Sequence, residues 1–223
     1  MKTIRMCFLV LILFSLNSLS AQKVVRDGLL FPEFEKGIVY LNNGLQQAAS
    51  FSYDMLQEKM LFLGPDSTVL EIGNPLDVRV VVINNRRFFP VSSTGVFYEE
   101  VTAGNGSFFI QRQAKMLSQG KALPYGGYSQ TSSATSYSSL QDNRGSFVSL
   151  SPDEKFRLEI KNFYYLKSGK SYKNFFSAKT LGKLFKGHES EINEFANEQS
   201  IDFKKADDVA RIVEYAYSLT SNP

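Results

Sequence analysis

Apolar and polar residues alternate along much of residues 22–176, and turn residues repeatedly interrupt the pattern. This period of two is typical of β-strands that bury one face. Residues 37–41 and 49–54 flank Asn42-Asn43-Gly44, which predicts a β-hairpin because Asn and Gly accept positive φ at little cost. The same criteria predict further strands at residues 59–63, 68–72, 78–83, 86–91, 95–102, 107–116, 155–160, 162–166 and 171–176.

The period changes after Phe176 to the spacing of an α-helix. We predict three helices, over residues 180–185, 190–199 and 204–219. Strands that come first and helices that come last indicate an α+β fold. We expect about ten strands in a mainly antiparallel curved sheet or small barrel, followed by a short C-terminal helical tail that covers one mouth or edge of the sheet.

The first 21 residues are typical of a secretory signal peptide. Lys2 and Arg5 precede an apolar run over residues 6–16, and Ser20-Ala21 supplies the small residues of a cleavage site near Ala21. The run is too short for a membrane-spanning helix, so a retained anchor is the weaker alternative. We therefore predict a mature chain without a transmembrane segment, exported to the periplasm, the outer envelope or the extracellular space.

Composition narrows the chemistry of the mature chain. The only cysteine, Cys7, lies in the predicted signal peptide, so the mature chain has no disulfide, thiolate nucleophile or Cys-ligated metal. The full chain has 25 basic and 22 acidic residues; without Lys2 and Arg5 the balance is 23 to 22, a net charge of +1. A nearly neutral surface gives no reason to expect a nucleic-acid partner.

The patterns predict three parts: a signal peptide over residues 1–21, an antiparallel β domain over residues 22–176, and a helical tail over residues 177–223 that packs on it. Residues 118–146 are rich in Ser, Tyr and Gly and have no strand or helix period, so they are predicted to form a long loop. Its candidate binding residues are Tyr125, Tyr128 and Tyr137. Tyrosines among Gly and Ser suit an adaptable binding surface, although a disordered insertion has the same composition.

A second candidate binding surface is the hairpin predicted over residues 162–176. It carries Tyr164, Lys167, Lys170 and Tyr172, and this basic and aromatic set could bind lipid headgroups or an acidic glycan. Lysines on an exposed hairpin also prevent edge-to-edge aggregation, which is the alternative interpretation.

The residues that could support catalysis are few. His188 is the only histidine, and no Gly-x-Ser-x-Gly or His-Glu-x-x-His motif occurs, so we interpret it as a capping or solvent-exposed residue. Glu99 and Glu100 are adjacent on a predicted strand and must point to opposite faces, which excludes an acid/base pair between them. Either could pair with Glu159, although solvated strand charges are the simpler interpretation. No catalytic residue, metal ligand or cofactor is predicted.

Several segments together resemble the hairpin series of uncharacterised exported β-rich proteins of Bacteroidota-like bacteria. These segments are Gly37-x-Val39-x-Leu41-Asn42-Asn43-Gly44, Tyr53-Asp54, Met60-Leu61-Phe62, Asp77-Val78 and Asn85-Arg86-Arg87-Phe88. Residues 184–217 are similar to the helical tail of those proteins. The resemblance does not extend to residues 118–146. It implies export and an antiparallel fold with a helical tail, and it carries no activity.

Three functions are compatible with these features. The favoured one is a non-catalytic binding or interaction protein whose partner is a protein, glycan or lipid of the cell envelope. The second is a carrier that encloses a lipid or other apolar ligand in the curved sheet, with a cavity lined by Phe88, Phe97, Phe109 and Phe156. The third is an envelope hydrolase built on carboxylates. We do not predict an enzyme.

Overall fold

The computed structural model describes residues 27–91, 95–122, 128–129 and 154–220. The strands are β1 (Glu35–Leu41), β2 (Gln46–Asp54), β3 (Lys59–Leu63), β4 (Val69–Glu71), β5 (Val78–Ile83), β6 (Arg86–Pro90), β7 (Phe97–Ala103), β8 (Gly106–Ala122), β9 (Tyr128–Ser129), β10 (Glu154–Ser168) and β11 (Ser171–Phe175). The helices are α1 (Ala178–Gly182), α2 (Glu189–Glu198) and α3 (Ala206–Thr220), with a short 3-10 helix at Pro75–Asp77.

All of these strands belong to one antiparallel sheet. Their order is β4-β3-β2-β1-β5-β6-β7-β8-β10-β11, and β9 pairs with the far end of β8. Strands β2 to β4 extend the sheet from one side of β1. Strand β5 pairs with the other side of β1, where Ile38 lies opposite Val82, and the later strands extend the sheet from β5. Within the described residues the first and last strands of this order do not pair, so the sheet is open. The predicted α+β fold, with a mainly antiparallel sheet followed by helices, is confirmed.

The sheet is strongly curved. The turn between β2 and β3 contacts β8, although β1, β5, β6 and β7 lie between β2 and β8 in the sheet. The amide of Ala114 donates to the carbonyl of Met55 at 2.8 Å, and the carboxylate of Glu58 accepts from the side-chain amides of Gln111 at 2.5 Å and Gln113 at 2.8 Å. Five strand spacings would separate β2 and β8 by roughly 24 Å in a flat sheet. The hydrogen bonds therefore require the sheet to curl.

Two hydrophobic cores lie on one face of the sheet, which we call the inner face. Alternation places Phe97 and Ala103 of β7 on this same face. The N-terminal core comprises Phe31, Val39, Phe51, Tyr53, Met55, Met60, Val78, Val81, Ile83, Phe88, Phe97 and Ala114. The C-terminal core comprises Ala103, Phe108, Ile110, Tyr164, Leu166, Phe175, Leu181, Phe185, Ile192, Val209, Ile212, Val213 and Ala216.

The helical tail covers the inner face over β7 and β8. Helix α3 buries Val209, Ile212, Val213 and Ala216 completely, and it contacts both strands. Gly106 permits this approach, because a Cβ atom there would lie 2.2 Å from the ring of Tyr217. The tail therefore packs on a face of the sheet, and that it covers a mouth or edge of the sheet stays a prediction. Among the described helices, none is long and apolar enough to cross a membrane.

The longest strands differ most from the predicted boundaries. Strand β10 is continuous over Glu154–Ser168, where we predicted two strands at 155–160 and 162–166. Strand β8 continues to Ala122 and so occupies the start of the segment predicted as a loop. These two strands pair from Phe156 opposite Ser118 to Tyr165 opposite Phe109 without interruption. Ladder hydrogen bonds thus extend both strands through polar residues whose sequence indicates a break.

Candidate functional site

Five aromatic side chains form a cluster on the outer face, opposite the helices. This outer aromatic cluster comprises Phe89, Tyr98, Phe109, Tyr165 and Tyr172. The rings of Tyr98 and Tyr165 stack with centroids 4.7 Å apart. The ring of Tyr172 meets Tyr98 and Phe109 edge-on, each at 5.1 Å, and Phe89 meets Phe109 at 5.9 Å. Stacked and edge-on pairs at these separations are favourable.

Strand register brings these rings together from five strands. Phe89 lies opposite Tyr98 on β6 and β7, and Tyr165 lies opposite Phe109 on β10 and β8. Tyr98 and Phe109 are buried, whereas Phe89, Tyr165 and Tyr172 are half-buried and form the outer layer. Burial is the largest cause that raises the pKa of both Tyr98 and Tyr172 above the usual value, so both phenols are neutral at physiological pH.

Hydrogen-bonding side chains border the cluster along β8. The hydroxyl of Tyr165 donates to Oε1 of Gln111 at 2.8 Å, and Gln111 in turn donates to Glu58. Gln113 donates to the other carboxylate oxygen of Glu58. This polar border therefore combines a carboxylate with two oriented amides beside aromatic rings.

Lysines lie at the other side of the cluster, on the hairpin of β10 and β11. The ammonium group of Lys167 lies 5.9 Å from the centroid of the Tyr172 ring. Lys167, Lys170 and Lys173 are exposed, and within the described residues none forms an ion pair. The nearby Arg87, by contrast, is paired with Glu100 at 2.5 Å. The hairpin tip is therefore a cationic surface next to aromatic rings.

The predicted site residues of this hairpin separate between the two faces. Lys167 and Tyr172 lie together on the outer face, and Lys170 lies in the turn that joins the strands. Tyr164 points to the inner face, where it is only 2% exposed and contacts the rings of Phe108 and Phe175. Tyr164 therefore belongs to the C-terminal core, and Tyr165 takes its place in the outer aromatic cluster.

Of the three tyrosines of the predicted loop, the structure describes only Tyr128. Tyr125 and Tyr137 lie outside the described residues, as do residues 130–146 of that segment. The backbone of Tyr128 forms β9 and pairs with Ala122 at the far end of β8. Ala122 is thirteen residues from Phe109 along β8, which corresponds to about 40 Å. Tyr128 and the hairpin are thus two separate candidate surfaces.

A buried ion triad is the feature that sequence reasoning missed. The carboxylate of Glu99, only 5% exposed, accepts from Arg86 Nε at 2.5 Å and Nη2 at 2.8 Å, and it also accepts from Arg112 Nε. Burial raises the pKa of Glu99, but the hydrogen bonds and charges of Arg86 and Arg112 outweigh it and hold the pKa below the usual value. The triad lies on the inner face at the seam between the two cores.

Glu159 does not form a carboxylate pair with Glu99 or with Glu100. Glu99 faces inward within the ion triad, whereas Glu159 lies on the outer face and is 3.5 Å from Lys161. Glu100 shares the outer face but lies opposite Phe109, level with Tyr165 of β10. Six residues along a strand correspond to about 20 Å, well beyond the separation of paired glycosidase carboxylates. The two-carboxylate site considered above is not formed by these residues.

The described phenylalanines of the predicted cavity do not come together either, and His188 lies apart from them. Phe88 and Phe97 pack in the N-terminal core on the inner face, and Phe109 lies on the outer face, so these three do not line one cavity. The side chain of Phe156 lies outside the described part of the chain. His188 occupies the N-cap position of α2, but its side chain makes no capping hydrogen bond, and its Nδ1 lies 3.5 Å from a carboxylate oxygen of Glu191.

Comparison with known proteins adds no constraint on the function. No protein-family model matches the chain, and neither a curated protein nor a solved structure is significantly similar to it.

Proposed function

We propose that this protein is an exported, non-catalytic binding protein of the periplasm or cell envelope, and that its outer aromatic cluster and the adjoining lysines bind an acidic glycan. The observation that carries the proposal is the position of Lys167 beside the half-buried ring of Tyr172, with Lys170 exposed in the adjoining turn and neither lysine in an ion pair within the described residues. Aromatic rings pack against the apolar faces of sugar rings, and ammonium groups pair with sugar carboxylates.

The polar border supports a glycan over a purely apolar ligand. Sugar hydroxyls need oriented donors and acceptors, which Gln111, Gln113 and Glu58 offer next to Tyr165. Because these groups already bond one another, they are preorganised, and less conformational entropy is lost on binding.

The composition of the hairpin tip favours a glycan over a membrane surface. Residues 167–170 are Lys, Ser, Gly and Lys, all exposed and none apolar. Peripheral membrane binding draws on apolar side chains that enter the interface as well as on cations. The tip offers only the cations, so the surface fits a polyanion in solution.

The export part of the proposal rests on the first 21 residues. When the full chain is expressed in a Gram-negative bacterium, the periplasmic fraction should contain a protein that begins at or near Gln22. N-terminal sequencing of that fraction tests the cleavage. A full-length protein confined to the cytoplasm would contradict it.

The binding part is tested with galacturonic acid oligomers as the probe, by titration calorimetry on the mature chain. The double variant Lys167→Gln/Lys170→Gln should bind roughly tenfold more weakly at low salt, a loss of about 1.4 kcal/mol. The matched control is Lys204→Gln/Lys205→Gln, which removes the same charge from exposed tail positions and should bind as the wild type does. Neutral galactose oligomers should bind much more weakly.

Two results would reject the glycan proposal. One is failure of the wild type to bind the oligomers, and the other is equal affinity in the hairpin and tail variants. Binding to phosphatidylglycerol vesicles with no binding to the oligomers would instead assign the hairpin to a membrane surface.

A further inference from the structure

The outer edge of β10 is a long unpaired strand edge. Strand β11 pairs with the outer edge of β10 only from Tyr164 to Ser168, so within the described residues no strand pairs with this outer edge from Glu154 to Phe163. The ladder between β10 and β8 is regular from Phe156 onward, without a bulge. Regular, unprotected edges with free N–H and C=O groups are templates for pairing with another strand. The opposite edge, β4, has only three residues.

Exposed apolar side chains concentrate along this edge. The described residues have eight large apolar side chains that are exposed, and four of them lie here: Leu158, Ile160, Phe163 and Phe176. Ile160 is 55% exposed on the inner face, and Phe163 is 38% exposed on the outer face. Phe176, 69% exposed, directly follows Phe175, which pairs with Tyr164 where the free edge begins. Apolar exposure on both faces of one strand edge indicates an interaction surface.

The charges along the outer edge of β10 are complementary to those of the same edge in a second copy of the chain. Arg157, Glu159 and Lys161 alternate in sign along the outer face of β10. If two copies pair antiparallel with Ile160 on the two-fold axis, Glu159 lies opposite the partner's Lys161, and this happens twice. A pairing centred on Glu159 would instead place Arg157 opposite the partner's Lys161. Unlike charges in directly opposite positions stabilise a strand pair, and like charges destabilise it.

The same register suits the neighbouring side chains. It sets Ile160 against the partner's Ile160 on the inner face, and it sets Arg157 against the partner's Phe163. The pairing covers residues 157–163 and ends where β11 begins, so neither strand overlaps an existing one.

We propose that two copies of this chain associate through the outer edges of β10, over residues 157–163 and with Ile160 at the two-fold axis, so that the two sheets become one continuous antiparallel sheet. The association is isologous and therefore closes at two copies. It goes beyond the proposed glycan binding and does not depend on it, because the edge and the hairpin lysines are different residues.

Sedimentation velocity of the mature chain, from 1 to 200 μM, tests the association through its charges. The wild type should show a monomer–dimer equilibrium. Glu159→Lys alone, or Lys161→Glu alone, places like charges opposite each other twice and should weaken dimerisation at least tenfold. The double variant Glu159→Lys/Lys161→Glu restores both unlike pairs and should recover most of the affinity.

Two further variants locate the interface. Ile160→Lys should abolish the dimer because two ammonium groups would meet at the axis. Leu70→Lys is the matched control, since it changes an exposed apolar residue on the opposite edge strand and should leave the dimer unchanged. Far-ultraviolet circular dichroism at 1 μM checks that every variant is folded. If Ile160→Lys is unfolded, the charge-swap series alone decides.

Three results would overturn the proposal. The first is a wild type that stays monomeric to 200 μM, and the second is a dimer that the single charge reversals do not weaken. The third is a monomer in which the backbone amides of residues 157–163 that point away from β8 are strongly protected from hydrogen exchange, because another part of the same chain would then cover the edge.

Discussion

The two faces of strands β6, β7 and β8 differ although their residues alternate along the same chain. Phe88 faces inward and is almost completely buried between the rings of Phe31 and Tyr53. Its neighbour Phe89 faces outward and is half-buried against Phe109. The adjacent carboxylates Glu99 and Glu100 divide in the same way. The inner face therefore carries most of the stability, and the outer face keeps aromatic and polar groups available for contact.

The largest expected effect comes from the two neighbouring phenylalanines. Phe88→Ala should lower the free energy of unfolding by about 3–5 kcal/mol, because it removes a buried ring from a packed core and leaves a cavity. Phe89→Ala should cost about 1 kcal/mol, since part of that ring is already in contact with water. Urea denaturation of both variants measures the difference, and equal losses would show that the two faces contribute alike.

The two neighbouring glutamates should differ by a smaller amount. Glu99→Gln removes the counter-charge of two guanidinium groups and should cost about 2–4 kcal/mol. The cost stays below that of a wholly buried pair because the side chain of Arg86 is 31% exposed. Glu100→Gln breaks a pair with the more exposed Arg87 and should cost less than about 1 kcal/mol. A loss for Glu99→Gln no larger than that for Glu100→Gln would contradict the inner-face role of the triad.

The smallest expected effect is on the pH dependence of the free energy of unfolding. Because the pKa of Glu99 is lowered in the folded protein, the triad stabilises the fold fully above the unfolded pKa of about 4.3, and this stabilisation is lost as pH falls through the folded pKa. The free-energy gap between the wild type and Glu99→Gln should thus be constant near pH 7 and shrink below about pH 4. Urea midpoints from pH 3 to 7 measure it, with Glu100→Gln as the control. A gap that widens in acid would reverse the assigned sign.

Local sequence predicts the hairpins well. The Asn84-Asn85 turn has positive φ at both residues, 47° and 64°, which a two-residue hairpin turn requires and Asn accepts, and it joins β5 to β6 near the predicted boundaries. The long pair of strands β8 and β10 is different, because no local signal in Lys161-Asn162 indicates a continuous strand. Cross-strand hydrogen bonds to β8 extend it, and these depend on residues about fifty positions away.

The candidate site was partly predictable for the same reason. Lys167, Lys170 and Tyr172 follow from the hairpin alone, because a tight turn sets which residues are neighbours. The ion triad cannot be predicted from a single hairpin, since Glu99 contacts Arg86 and Arg112 as diagonal neighbours on two different strands. Alternation places Glu99 and Arg112 each on one face, but only the register of three strands makes them adjacent.

Sequence by itself determined the α+β class, the hairpin succession and which residues of a strand share a face, because the period of two and the turn residues act within a few positions. Tertiary structure alone decided how far the sheet curls, that it stays open within the described residues, and that the tail packs on a face. It also decided that Tyr164 is buried and Tyr165 lies on the outer face, and that no described strand pairs with the outer edge of β10 before Tyr164. These outcomes depend on which distant strands and helices bury one another's apolar surface, and that competition is settled only when the whole chain folds.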